Sequence, residues 1–190
     1  MAFLKHVALT LLICLFLSMP QAQAFESPAT PEQQKTILRM GQEFQAIAEA
    51  FGCPELAWGN ITNNGFIMLL EYVPEGVEVD NWTRMVTVNV FALSSDADTD
   101  LQLIQGLQDT RLSTLMQNDT VIQHEFFNKG TLDQTLFIEY TIGSGDIKEH
   151  NAGAMLRVSD NMAAMIQIQS RRDSKITEED IALIRQIAAP

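Results

Sequence analysis

Residues 121–170 read VIQHEFFNKG TLDQTLFIEY TIGSGDIKEH NAGAMLRVSD NMAAMIQIQS, and four strand-like runs stand out in them: Val121–Asn128, Thr135–Ile142, Ala152–Ser159 and Met162–Ser170. Between the runs lie Lys129-Gly130, Gly143-Ser144-Gly145 and Asp160-Asn161, turn residues in connections short enough for hairpins. A four-stranded antiparallel meander is expected here.

Upstream, Asp96, Asp98 and Asp100 crowd the first turn of a helix whose apolar stripe is Leu101, Ile104, Leu107, Leu112 and Leu115. Before it, Gly65–Val73 and Trp82–Leu93 read as two antiparallel strands joined through the turn Pro74-Glu75-Gly76. Further back, Pro31–Phe51 carries Ile37, Phe44, Ile47, Ala48 and Phe51 at helical spacing with Met40 on the flank, and stops at Gly52 and Pro54. Downstream, Thr177-Glu178-Glu179-Asp180 is a capping-box variant, with Ile176 and Ile181 placed as a hydrophobic staple and Ile184 and Ile187 continuing the stripe. The order is αββαββββα, which predicts an α+β fold: an antiparallel sheet of about six strands covered by helices, in one domain over residues 25–190.

The first 24 residues have the form of a secretory signal peptide: Lys5 and His6, the apolar run Val7–Leu17, Met19-Pro20 and the small-residue site Ala22-Gln23-Ala24. Cleavage after Ala24 would leave Phe25 first. Lipidation is not expected, because Cys14 lies inside the apolar run and follows Leu12-Ile13 where small residues are wanted. No later segment approaches the roughly 20 apolar residues of a membrane span, so no membrane insertion is expected. The whole chain has 12 basic and 24 acidic side chains, a formal charge of −12; Lys5 is the only charged residue of the leader, so the mature chain carries −13. A charge of that sign argues against nucleic acid as a partner. With Cys53 the only thiol left after cleavage, no internal disulfide is available, which suits a bacterial periplasm better than a eukaryotic extracellular space. Three sequons, at Asn60, Asn81 and Asn118, point weakly the other way.

No catalytic constellation emerges. Cys53 would need His124 or His150 as a base, neither in a nucleophile signature, and it sits just past a helix C-terminus, where the negative dipole end disfavours a thiolate. His124-Glu125 opens like a zinc-protease pattern, but Asn128 stands where the second His belongs. Asp96-x-Asp98-x-Asp100 starts like a calcium loop, yet Leu101 replaces the Gly and Leu107 the Glu, so helix capping is the better account. Metal and cofactor are both expected to be absent. The seven mature methionines read as core filling ahead of an adaptable binding surface.

A polar seam remains. Period-2 alternation sets Glu139 against Leu136, Ile138 and Tyr140, Arg157 against Leu156 and Val158, and Gln167 and Gln169 against Ile166 and Ile168. Together with Glu71 and Arg84 these positions are expected on one face, with Glu139 and Arg157 as cross-strand neighbours. They form either ordinary solvated pairs or a shallow groove for a peptide, glycan or lipid headgroup. Trp82, at the start of its strand, is expected to seal a core edge, and if exposed beside Arg84 it would mark a binding surface. The candidate binding residues are therefore Glu139, Arg157, Gln167, Arg84 and Trp82.

The element order, taken with the strand start Asn81-Trp82-Thr83-Arg84-Met85, resembles the PsbP-like α-β-α sandwich family, over about residues 55–188. That family includes small bacterial periplasmic proteins. The resemblance carries no catalytic motif and implies a non-catalytic binding or assembly role. The expected function is thus an exported, soluble, non-enzymatic binding or accessory protein of the bacterial cell envelope, with an envelope protein or a small ligand as partner. Two alternatives are a structural subunit of an envelope complex and a Cys53-dependent enzyme.

Overall fold

The computed structural model describes residues 29–61, 67–94, 96–118, 120–143, 148–171 and 174–189. The leader, including Cys14 and the cleavage site, lies outside them.

Three helices begin on side-chain caps. In α1 (Pro31–Ala50), Thr30 accepts from Gln33 N while Gln33 Oε1 accepts from Thr30 N, a full capping box. The aspartates of α2 (Ala97–Gln117) do serve its start: Asp96 accepts from Thr99 N at 2.8 Å, and buried Asp100 accepts from Ser94 N at 2.7 Å. The closing helix α3 (Glu178–Ala188) repeats the box with Thr177 and Asp180.

The strands are β1 (Glu55–Ile61), β2 (Ile67–Val73), β3 (Arg84–Ala92), β4 (Val121–Phe127), β5 (Thr135–Ile142), β6 (Glu149–Ser159) and β7 (Met162–Arg171). They form one antiparallel sheet in the order β1-β2-β3-β7-β6-β5-β4. Two meanders are thus stitched through the β3–β7 pair, with Thr87 opposite Gln167 and Val86 opposite Ile168. The fold is α+β, as expected, with the meander of β4 to β7 in place.

The strand count is corrected from six to seven. The added strand is β1, whose alternation is broken by a bulge between Leu56 and Trp58 and so does not show in the sequence. An added Cβ at Gly59 of β1 would clash with Ile37 Cγ2, and one at Gly41 of α1 would lie 2.6 Å from Leu56 Cδ2. Glycine at both positions lets helix and strand approach closely.

Helices α1 and α3 cover one face of the sheet. Ile37, Phe44, Ala48 and Ile184 pack there on Leu70, Val86, Val88, Phe137, Ala154 and Ile166. Helix α2 crosses the other face, where Leu107 and Leu115 meet Leu136, Ile138, Tyr140, Met155 and Met165. No described helix is long and apolar enough to cross a membrane.

Candidate functional site

Arg111 is the one basic residue of α2, and it points into the sheet. Its Nη2 donates to Tyr140 Oη on β5 and, at 3.3 Å, to Gln167 Oε1 on β7. Tyr140 Oη in turn donates to Gln167 Oε1 at 2.9 Å, and the guanidinium carbon lies 5.0 Å from the Tyr140 ring centroid. Gly153 of β6 lies opposite both Ile138 and Gln167 in the sheet. A Cβ there would sit 3.3 Å from Gln167 Cγ and 3.0 Å from Ile166 O, so the absent side chain leaves room for the Gln167 chain.

A second string runs beside the first. Thr87 Oγ1 donates to Gln169 Oε1 at 2.6 Å, and Gln169 Nε2 donates to Asn151 Oδ1 at 3.0 Å. Arg111 and Asn151 in these strings each keep a buried polar atom with no hydrogen-bond partner, Nε and Nδ2, and among the described residues so do Glu149 Oε2 and, away from the strings, Arg157 Nε. Each unmet group of this kind costs about 1–3 kcal/mol, so such atoms cluster where water, an ion or a ligand is received.

Arg84, Arg157 and Arg185 each have a carboxylate within 4.0 Å, whereas Arg111 makes no ion pair among the described residues, in a chain with twice as many acids as bases. Its acceptors are neutral. Nearby, burial raises the Tyr140 phenol against the pull of Arg111, and burial raises Glu149 against Arg171. Glu71 is two strands from Gln167, in the register Gln167, Thr87, Glu71, and burial pushes its carboxyl up to about 7. Around Glu71 the face is only half-covered: Trp58, Ile67, Leu69, Asn89 and Phe91 are partly exposed.

The five expected binding residues do not converge. Gln167 belongs to the Arg111 network. Glu139 is on the opposite face, because its register partner Ala152 pairs with Ile168, whereas Gln167 pairs with Gly153 and, through it, Ile138. One residue of slip in a period-2 pattern separates the two completely. There Glu139 accepts from Gln123 Nε2 and lies 2.7 Å from His150 Nε2, while Arg185 of α3 reaches Gln123 at 2.7 Å. Arg157 is not its neighbour. That residue pairs with Ala163 in the sheet and forms ion pairs with Asp160 at 2.7 Å and Asp133 at 3.8 Å.

Arg84 is a clasp between elements. It donates to Phe51 O at 2.9 Å, to Lys175 O at 3.3 Å and to Asp180, tying the end of α1 to the start of α3. Burial alone would raise the Asp180 carboxyl, but hydrogen bonds from Arg84 and Thr177 outweigh it and hold it below its ordinary value. Trp82 is buried against Val73 and Met85 and roofed by Arg171, whose guanidinium carbon is 4.1 Å from the indole centroid. It seals an edge. Cys53 is fully buried beneath the same clasp; burial, opposed by Arg84, pushes its thiol up to about 11. Among the described residues no three His, Cys, Asp or Glu side chains gather as a metal site.

Sequence reading missed Arg111, Tyr140 and Asn151. The available signal was Arg111 itself, a lone cation beside the stripe of Leu107, Leu112 and Leu115 in a helix otherwise free of basic residues. It also missed the buried pair Gln108 and Gln134, in which Gln108 Nε2 donates to Gln134 O and Met155 O, both at 3.1 Å.

Fold and site together define an α-β-α sandwich with one half-open sheet face and a buried polar network centred on an arginine. No protein-family model matches the chain, and no curated protein matches it in sequence. Among solved structures it is similar to the Ran-binding protein Mog1p of Saccharomyces cerevisiae, at 11% identity and a TM-score of 0.30 over 70% of this chain and 84% of that one.

Proposed function

We propose that the protein is an exported, non-enzymatic binding or accessory protein of the bacterial envelope, of the PsbP-like kind, and that it receives a small ligand on the sheet face beside α2. The observation that carries this reading is Arg111, a cation held by two neutral acceptors with its Nε buried and unpartnered. A buried donor left without an acceptor is costly, and an acidic ligand group would supply one to Arg111 Nε. The leader supports export.

Native mass spectrometry of protein recovered from an envelope fraction tests the binding half. Wild type should carry a retained small molecule that Arg111→Met loses, and bare protein mass in both would overturn the reading. N-terminal sequencing of the same material tests the export half: Phe25 is expected, and Met1 would refute it.

A further inference from the structure

The residues beside Arg111 narrow the chemistry of that ligand, an inference that rests on the binding reading above. From Gln167 the sheet runs outward through Thr87 and Glu71 to Trp58, and the adjacent row runs from Met165 through Asn89 and Leu69 to Asn60. Three strand spacings span about 14 Å, the length of an extended chain of about ten to twelve carbons. Trp58 ends that path, Leu69 lies in the adjacent row and Ile67 and Phe91 in the row beyond it, and all four are half-exposed, whereas Thr87 and Met165 at the inner end are buried. Its inner end is polar and cationic, and two unpartnered donors are buried there, Arg111 Nε and the fully buried Asn151 Nδ2.

We propose that this trough binds an amphiphile with a single carboxylate, its head at Arg111 and Asn151 and its aliphatic chain over Leu69 toward Trp58. One arginine balances one negative charge. Glu71 lies on the path, Glu149 is two residues from Asn151 on the same strand, and the chain as a whole carries −12, so a dianionic phosphate head would meet more repulsion than a monoanion. The planar guanidinium also suits a carboxylate, which accepts two parallel hydrogen bonds from it.

The test is a titration of the purified mature protein with dodecanoate, dodecanol, dodecyl phosphate and acetate, each kept below its micelle concentration and followed by Trp58 fluorescence and by calorimetry. Dodecanoate should bind at least tenfold more tightly than dodecanol, about 1.4 kcal/mol, and acetate should not bind measurably. Arg111→Met should erase the difference between acid and alcohol, and Leu69→Asn should weaken both. Arg111→Lys keeps the charge and covers the case in which the Met variant fails to fold; it should retain a reduced preference for the acid. Equal binding of acid and alcohol by wild type, or tighter binding of dodecyl phosphate, overturns the carboxylate assignment. If that happens while envelope-purified protein still holds an Arg111-dependent ligand, the binding reading survives and only the ligand class falls. If Arg111→Met alters neither probe nor envelope ligand, both fall.

Discussion

On the side of α1 and α3 the central strands meet the helices with Val86, Val88, Ala152, Ala154, Ile166 and Ile168, while on the side of α2 the same strands present Thr87, Gln167, Gln169 and Asn151. Alternation along one set of strands therefore builds two different interiors. The first is held by area, since each fully buried large apolar side chain contributes about 1.5–3 kcal/mol. The second joins an apolar cluster under Leu107 and Leu115 to hydrogen bonds whose net worth is about 1 kcal/mol each and whose unmet members cost as much or more. An apolar interior tolerates no vacancy, and a polar one is completed by whatever supplies the missing partners. The contrast explains why the candidate site lies under a single helix.

Breaking the apolar side should have the largest effect. Phe137 is fully buried, with Arg185 stacked 4.3 Å from its ring centroid, and Phe137→Ala should destabilise by about 3–5 kcal/mol in urea unfolding. A loss below about 1 kcal/mol would mean that this side is as loosely filled as the other.

Glu71 sharpens the comparison in the opposite direction. Its carboxyl keeps a proton up to about pH 7 in the folded chain but releases it near 4.5 when unfolded, so the folded state binds more protons within that window. Stability should therefore fall as pH rises from about 4.5 to 7 and stay reduced above it. Glu71→Gln should remove that component and exceed wild type by about 2–3 kcal/mol at pH 8, with little difference at pH 4. Parallel denaturation curves at the two pH values decide it, and an equal difference at both would show that Glu71 is solvated like a surface residue.

Cys53 tests whether the clasp region belongs to the apolar side. Cys53→Ser places a hydroxyl in that fully buried site and should cost about 1–3 kcal/mol without altering ligand retention. A thiol reagent should react at pH 8 only as fast as the chain opens. Rapid labelling of native protein, or loss of a measured activity at unchanged melting temperature, would revive the cysteine-enzyme alternative.

The smallest effect is expected at Arg157, whose partners Asp160 and Asp133 are largely exposed. Arg157→Ala should change stability by less than about 1 kcal/mol and leave retained ligand untouched, in contrast to Arg111→Met. Calorimetric melting with native mass spectrometry separates the two arginines, and loss of ligand in Arg157→Ala would move the site away from α2.

Much of this architecture was legible locally. Helical spacing in 31–51, the aspartates at 96–100 and the Thr177–Asp180 box each mark an element through residues within a few positions of one another, and the four runs of 121–170 announce strands by alternation and turns. What alternation cannot carry is phase between distant strands. Glu139 and Gln167 were both correctly read as polar breaks in apolar runs, but their faces depend on the register of β5 on β6 and of β6 on β7, which backbone pairing across the sheet decides. The bulge at Leu56/Trp58 hid β1 for a related reason, because an inserted residue changes parity midway through a strand. The candidate site was the least legible part. Gln167 alone was named, since Arg111, Tyr140 and Asn151 come from a helix and two other strands and acquire meaning only where α2 lies across the sheet. Local sequence determined which elements form and where they stop, because caps, turns and periodicity act over a few residues. Only the tertiary structure decided which polar groups meet, because contacts between elements distant in sequence depend on how the whole chain packs.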